Sequence, residues 1–155
     1  MTPDALIDLA RSKGATLATA ESCTGGMIAA ALTDIPGSSD VFDRGFVTYS
    51  NDAKIQMLDV PPSLITDHGA VSEDVARAMA EGALTNSNAT LAVSVTGIAG
   101  PGGSEHKPEG RVCFSVAQTG HPAITETVEF GPLGRANVRR VTVEHALKLL
   151  TDALS

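Results

Sequence analysis

The stretch Thr16-Leu17-Ala18-Thr19-Ala20-Glu21-Ser22-Cys23-Thr24-Gly25-Gly26 decides the fold. Thr16–Ala20 reads as a short buried strand. Gly26–Leu32 reads as a helix of small residues, with Ala29, Ala30 and Ala31 allowing close packing. A strand that passes through a short polar turn straight into a helix is the building unit of an α/β fold. The turn also carries chemistry. Backbone N–H groups at a helix start hold an anion or a developing oxyanion, and Ser22 sets a hydroxyl beside them. Ser, Thr and Gly are equally the residues of a plain helix cap, so on local chemistry both readings stand.

Working outward, the same alternation recurs. Thr2-Pro3 opens a helix with Leu6, Leu9 and Ala10 on one stripe, and Gly14 closes it. Gly45–Tyr49 is a second strand, and Asn51 is placed to cap a helix over Asp52–Leu58. Pro61-Pro62 interrupts, leaving room for a short helix at Ser63–Asp67. Ser72 caps a longer helix, with Glu73 and Asp74 in its first turn, where the dipole favours acids, and Val75, Met79 and Ala83 on one face. Leu91–Thr96 is a third strand running into the glycine-rich Gly97–Gly103. Val112, Phe114 and Val116 alternate with Cys113 and Ser115 as a fourth strand. Ile124, Val128 and Phe130 mark a fifth, interrupted by Glu126, and a last helix carries Val143, Leu147, Leu150 and Leu154. The order predicts an α/β fold: a three-layer α/β/α sandwich around a mixed sheet, as one domain over residues 1–155.

Composition narrows the function classes. The chain has 155 residues, 43% of them hydrophobic, only 3% aromatic and none Trp, so the core must be Ala, Val, Leu and Ile. A formal net charge of -7 argues against a nucleic-acid or membrane surface, which needs a basic face. The N-terminal residues Asp4 and Asp8 do not fit a signal peptide, and no apolar run approaches the ~20 residues of a membrane span. Two cysteines, Cys23 and Cys113, do not suggest a secreted scaffold. The expectation is a cytoplasmic protein with no cofactor, whose partner is a small molecule.

Three strand ends could converge on one pocket: Glu21–Gly26, Thr48–Lys54 and Thr96–Gly103. A serine nucleophile needs a base. His68, His106, His121 and His145 lie in unrelated settings. Of the four lysines, Lys13 and Lys148 read as solvated and Lys107 sits in the glycine-rich loop. Lys54, five residues after the strand-end Tyr49, is the best base, provided burial lowers its pKa; a surface lysine is the other reading. Cys23 is the rival nucleophile. Arg135 and Arg139, four apart at the start of the last helix, could clamp a phosphate or simply face solvent. No Cys-x-x-Cys, His-Glu-x-x-His or tight His/Asp cluster supports a metal.

Taken together, Ala20–Gly26, Gly45–Asn51, Lys54, His68-Gly69-Ala70-Val71-Ser72 and Thr96–Pro101 resemble the CinA C-terminal domain family, whose stand-alone enzymes are the PncC-type nicotinamide mononucleotide amidohydrolases. The resemblance runs from about Leu6 to Leu150 and implies hydrolysis of the carboxamide of nicotinamide mononucleotide to nicotinic acid mononucleotide and ammonia, in pyridine nucleotide salvage. It implies Ser22 as nucleophile, Lys54 as base and Tyr49 to orient or relay the proton. Helix-start N–H groups would hold the oxyanion. Glu21, Cys23, Thr24, Gly25, Gly26, Thr96, Gly97, Gly100, Arg135 and Arg139 would line the substrate site. A homo-oligomer, with a dimer as the guess, goes with it. The larger relatives' pyrophosphatase domain has no room here. A non-catalytic nucleotide-binding module of the same fold and a subunit serving a partner protein are the competing classes.

Overall fold

A computed structural model describes residues 2–155. The sheet has the strand order β2-β1-β3-β4-β5, with β1 at Leu17–Glu21, β2 at Phe42–Val47, β3 at Leu91–Gly97, β4 at Arg111–Gln118 and β5 at Ile124–Glu129. β1 pairs parallel with both β2 and β3, whereas β4 runs antiparallel to β3 and to β5. The sheet is therefore mixed, as expected. The helices are α1 Pro3–Lys13, α2 Met27–Thr33, α3 Asn51–Leu58, α4 Pro62–His68, α5 Glu73–Thr85 and α6 Arg135–Leu154.

Side-chain parity sorts them into two outer layers. Leu17, Val93, Val95, Val112, Phe114 and Val116 face α1, α2 and α6, against Leu6, Ile28, Val138, Leu147 and Leu150. Ala18, Ala20 and Ala92 face the other way, against Leu58, Val75, Met79 and Ala83 of α3 and α5. The three-layer α/β/α fold follows. The small residues of β1 on that second face let α5 come close, and α5 in turn approaches α3 closely. A Cβ on Gly82 would lie 2.8 Å from the Leu58 carbonyl carbon, so the crossing requires glycine.

Three boundaries beside the β1 strand end differ from the sequence expectation for a local reason, and α2, α4 and β3 differ by a residue at one or both ends. β1 extends to Glu21, because that residue still pairs with Val47 and Val95. β2 begins and ends earlier than Gly45–Tyr49, which leaves Thr48 and Tyr49 in the turn after it. The cap of α3 is Ser50, whose Oγ accepts the Ala53 N–H at 3.0 Å; Asn51 is the first helical residue. β1 feeds β2 on one side through α2 and lies beside β3 on the other. The carboxyl ends of β1 and β3 thus form a switch point, where ligands of such sheets bind.

Candidate active site

Ser22 follows the last residue of β1. Its N–H donates to the Val95 carbonyl at 3.1 Å, which continues the β1–β3 ladder one step and fixes the backbone under the hydroxyl. Lys54, one turn into α3, is 1% exposed. Its Nζ lies 3.0 Å from Ser22 Oγ, 3.1 Å from the Thr48 carbonyl and 3.3 Å from the Tyr49 carbonyl. No carboxylate pairs with it. Burial holds its pKa below the ordinary 10.5, opposed by the charges of Cys23 and Glu105. A neutral amine has two hydrogens and one lone pair. With the hydrogens donated to the two carbonyls, the lone pair faces the Ser22 O–H.

The other residues of the turn are structural. Glu21 is 1% exposed and reaches α2 instead of the cleft. Its carboxylate accepts from Thr24 Oγ1 at 2.5 Å and from the N–H groups of Ile28 at 2.8 Å and Ala29 at 3.0 Å. Those helix-start donors are therefore occupied and do not serve an oxyanion. Glu21 and Thr24 are corrected from substrate contacts to a buried brace, because strand parity points Glu21 to the α2 face. Gly26 starts α2 at φ 104, a left-handed conformation that suits glycine. Gly25 is exposed beside Arg139 and, like Gly26, lies off the cleft. Among the described residues the Cys23 N–H has no backbone acceptor, and Cys23 lines the cleft. The Cys23 thiol itself is 5% exposed, and burial pushes its pKa up to about 12, the opposite of an activated thiolate.

The cleft above Ser22 and Lys54 has a volume of about 320 Å³. Thr96, Gly97 and Gly100 form one wall, with Thr96 Oγ1 donating to the Ala70 carbonyl at 2.9 Å. The two arginines separate. Arg135 lines the cleft; its Nη1 donates to the Gly100 carbonyl at 2.7 Å and its Nη2 to the Tyr49 hydroxyl at 2.9 Å. Arg139 lies outside it, donating to the Cys23 and Thr24 carbonyls at 3.0 and 3.2 Å behind the Ser22 turn. Tyr49 is 61% exposed, and its hydroxyl meets Arg135 rather than Ser22 or Lys54. Glu109 was not singled out in the sequence. Its carboxylate accepts from the N–H groups of Gly102 at 2.7 Å and Gly134 at 2.9 Å, tying the glycine loop to the start of α6. An acid among glycines, whose bare amides need acceptors, was the available signal. Among the described residues no group of three or more His, Cys, Asp or Glu could hold a metal, and no helix is long and apolar enough to cross a membrane.

Comparison with known proteins shows the family of the chain. The CinA C-terminal domain family matches residues 2–154. A CinA-like protein from Mycobacterium sp. (strain MCS) is 52% identical over 142 residues, 91% of this chain and 34% of that protein. The chain spans about a third of the length of the curated relatives it matches. The crystal structure of the competence/damage inducible protein CihA from Agrobacterium tumefaciens is 48% identical, covers 99% of this chain and 98% of that one, and superposes with a TM-score of 0.89. A CinA superfamily protein from Klebsiella pneumoniae 700603 is 34% identical, covers 98% of this chain and 94% of that one, and reaches 0.94.

Proposed function

This chain belongs to the CinA C-terminal domain family, and from that premise we propose that it hydrolyses the carboxamide of nicotinamide mononucleotide with Ser22 as nucleophile and Lys54 as its base. One observation carries the reading: a buried lysine, free of any carboxylate partner, with its Nζ 3.0 Å from a serine hydroxyl at a strand end. A structural lysine at this depth would need an acid to balance its charge. A catalytic one needs to be neutral, and burial favours that form.

In the reaction Ser22 Oγ attacks the amide carbon while its proton passes to Lys54 Nζ. The carbonyl oxygen becomes an oxyanion, and the Cys23 N–H, without a backbone acceptor on a residue that lines the cleft, is the donor we assign to it. The resulting ammonium of Lys54, held by the Thr48 and Tyr49 carbonyls, returns the proton to the departing nitrogen, which leaves as ammonia. Water then attacks the acyl ester, giving its proton to Lys54; the bond from the acyl carbon to Ser22 Oγ breaks, Lys54 returns the proton to that oxygen, and nicotinic acid mononucleotide is released. Tyr49 acts as an orienting residue, through its carbonyl on Lys54 and its hydroxyl on Arg135. Arg135 and the Gly97–Gly103 wall receive the ribose phosphate; Arg139 holds the turn.

Ammonia release from nicotinamide mononucleotide by the wild type, Ser22→Ala and Lys54→Ala tests the reading. Turnover by the wild type and its loss in both variants is expected. Full activity in Ser22→Ala overturns the mechanism. Nucleotide-dependent thermal stabilisation without turnover in the wild type replaces the enzyme with a binding module.

A further inference from the structure

The cleft has a roof that the reaction does not use. Between Gly100 and Gly110 the chain folds back as a tight hairpin, in which the Ser104 and Lys107 backbones exchange hydrogen bonds of 3.0 and 2.8 Å. Glu105 and His106, the two residues at its tip, stand at φ 53 and φ 64. Two left-handed residues in a row make a type I′ turn, which ordinarily takes Asn-Gly or another pair with little Cβ conflict. Glu and His are poor choices for the turn itself, and strain of this kind points to a role for a side chain.

Lys107 fastens the hairpin down. Its Nζ donates to the carbonyls of His68, at 2.9 Å, and Val71, at 2.5 Å, on the far side of the cleft. Glu105 then lies over Gly69: its Oε2 is 3.0 Å from where a Cβ of Gly69 would be, so the glycine makes room for it. Glu105 is the one carboxylate lining the cleft among the described residues. It has no hydrogen bond or ion pair within the described chain; the Lys107 ammonium is its neighbour, 2.7 Å from that same Gly69 position, but donates to His68 and Val71, and Arg135 donates to Gly100 and Tyr49. The cleft therefore presents at its roof a carboxylate with no hydrogen-bonded partner, beside the Lys107 ammonium, and a positive charge, Arg135, at its side.

We propose that Glu105 is the counter-charge for a cationic ring, so that the cleft selects amides carried on an N-substituted pyridinium over amides on a neutral ring. The inference rests on the amidohydrolase reading of this cleft, because the ring nitrogen must sit near the amide that Ser22 attacks. The two opposite charges match a ligand with a cation beside its amide and an anion further along. Glu105 lines the same cleft as Ser22 and Lys54, which is the placement the proposal needs.

The test is equilibrium binding to Ser22→Ala protein, with and without Glu105→Gln, so that no turnover intrudes. Nicotinamide mononucleotide and its dihydropyridine form are the two probes. They share the amide and the phosphate and differ in ring charge. Glu105→Gln is expected to weaken the cationic ligand about fivefold, the size of a partly exposed ion pair, and to leave the neutral one unchanged. Equal weakening of both ligands, no weakening of either, or no binding of the cationic nucleotide overturns the proposal. Ammonia release by the Ser22-containing protein is read separately, so loss of the enzymatic reading and loss of the ring preference are distinguishable.

Discussion

The floor and the wall of the cleft are built on different principles. At the floor, Ser22, Lys54, Glu21 and Thr24 are buried, and their polar atoms are held by backbone groups or by one another. The wall, Gly97–Gly103 with Arg135, is exposed from Pro101 onward and joined loop to loop by Arg135 and Glu109. A buried polar group with fixed partners cannot move without leaving a donor or acceptor unpaired, at a cost of about 1–3 kcal/mol each. Exposed loop contacts exchange for water at little cost. Under the proposed reaction, proton transfer falls to the floor, where sub-ångström placement matters, and recognition to the wall, where adjustment is tolerated.

The strongest way to break this division is to remove the reacting atoms. Ser22→Ala is expected to lower kcat by ~10³-fold or more, with a melting temperature close to wild type. Lys54→Met should lose as much, and its pH behaviour sharpens the point. Because burial lowers the folded-state pKa of Lys54 below 10.5, the unfolded chain binds a proton that the folded chain lacks between those two values. Stability then rises with pH across that window and is lowest beneath it. Activity rises through the same lowered pKa as the free base forms. Lys54→Met should flatten the stability profile in this range, which thermal melts at several pH values would read. An unchanged slope would mean that Lys54 is solvated.

Next in size is the brace beneath the floor. Glu21→Ala strands the Ile28 and Ala29 amides and the Thr24 hydroxyl in the interior. The expected loss is about 3 kcal/mol, or roughly 10 °C in melting temperature for a chain of this size. A shift of only a degree or two, with a raised KM instead, would return Glu21 to the substrate site.

The layers of the fold were legible in the sequence because parity and period report burial directly: Leu17 and Phe114 on one face, Val75 and Met79 on the other. The Ser22–Lys54 pair was legible as types and positions, Ser22 after a strand and Lys54 after Tyr49. Its contact was not, because it depends on how α3 docks against β1. Arg135 and Arg139 looked alike for the same reason. At four residues apart they share a helix face, and only the position of the Ser22 turn decides that one meets the cleft and the other the back of the turn. Glu21 was misread because its strand ends one residue later than the local pattern suggests, which turns the carboxylate toward α2.

The arginines give the third test. Arg135→Ala should raise KM about tenfold and leave kcat within about twofold, since it removes binding common to ground and transition states. Arg139→Ala should instead cost about 1–2 kcal/mol of stability by freeing the Cys23 and Thr24 carbonyls, with the larger effect on kcat. Steady-state kinetics beside thermal melts separates the two, and identical profiles would erase the distinction between wall and floor.

Cys23 is where the smallest effect carries the sharpest information. It adjoins Ser22 and lines the cleft, so proximity alone would nominate its thiol as a second nucleophile. Burial pushes its pKa up to about 12. At neutral pH that keeps the thiol protonated, a poor nucleophile beside a serine that has a base in contact. The side chain packs into the same apolar cluster as Ile28 and Val95, where it behaves as a small hydrophobe. What the site takes from this residue is its main chain, and alanine keeps the N–H. Cys23→Ala is therefore expected to retain activity within about twofold and to lose about 1 kcal/mol of stability from the missing sulfur. Iodoacetamide should leave the native wild type active. Rapid inactivation by that reagent, absent in Cys23→Ala, would show a reactive, accessible thiol and place part of the chemistry on a side chain assigned here to packing.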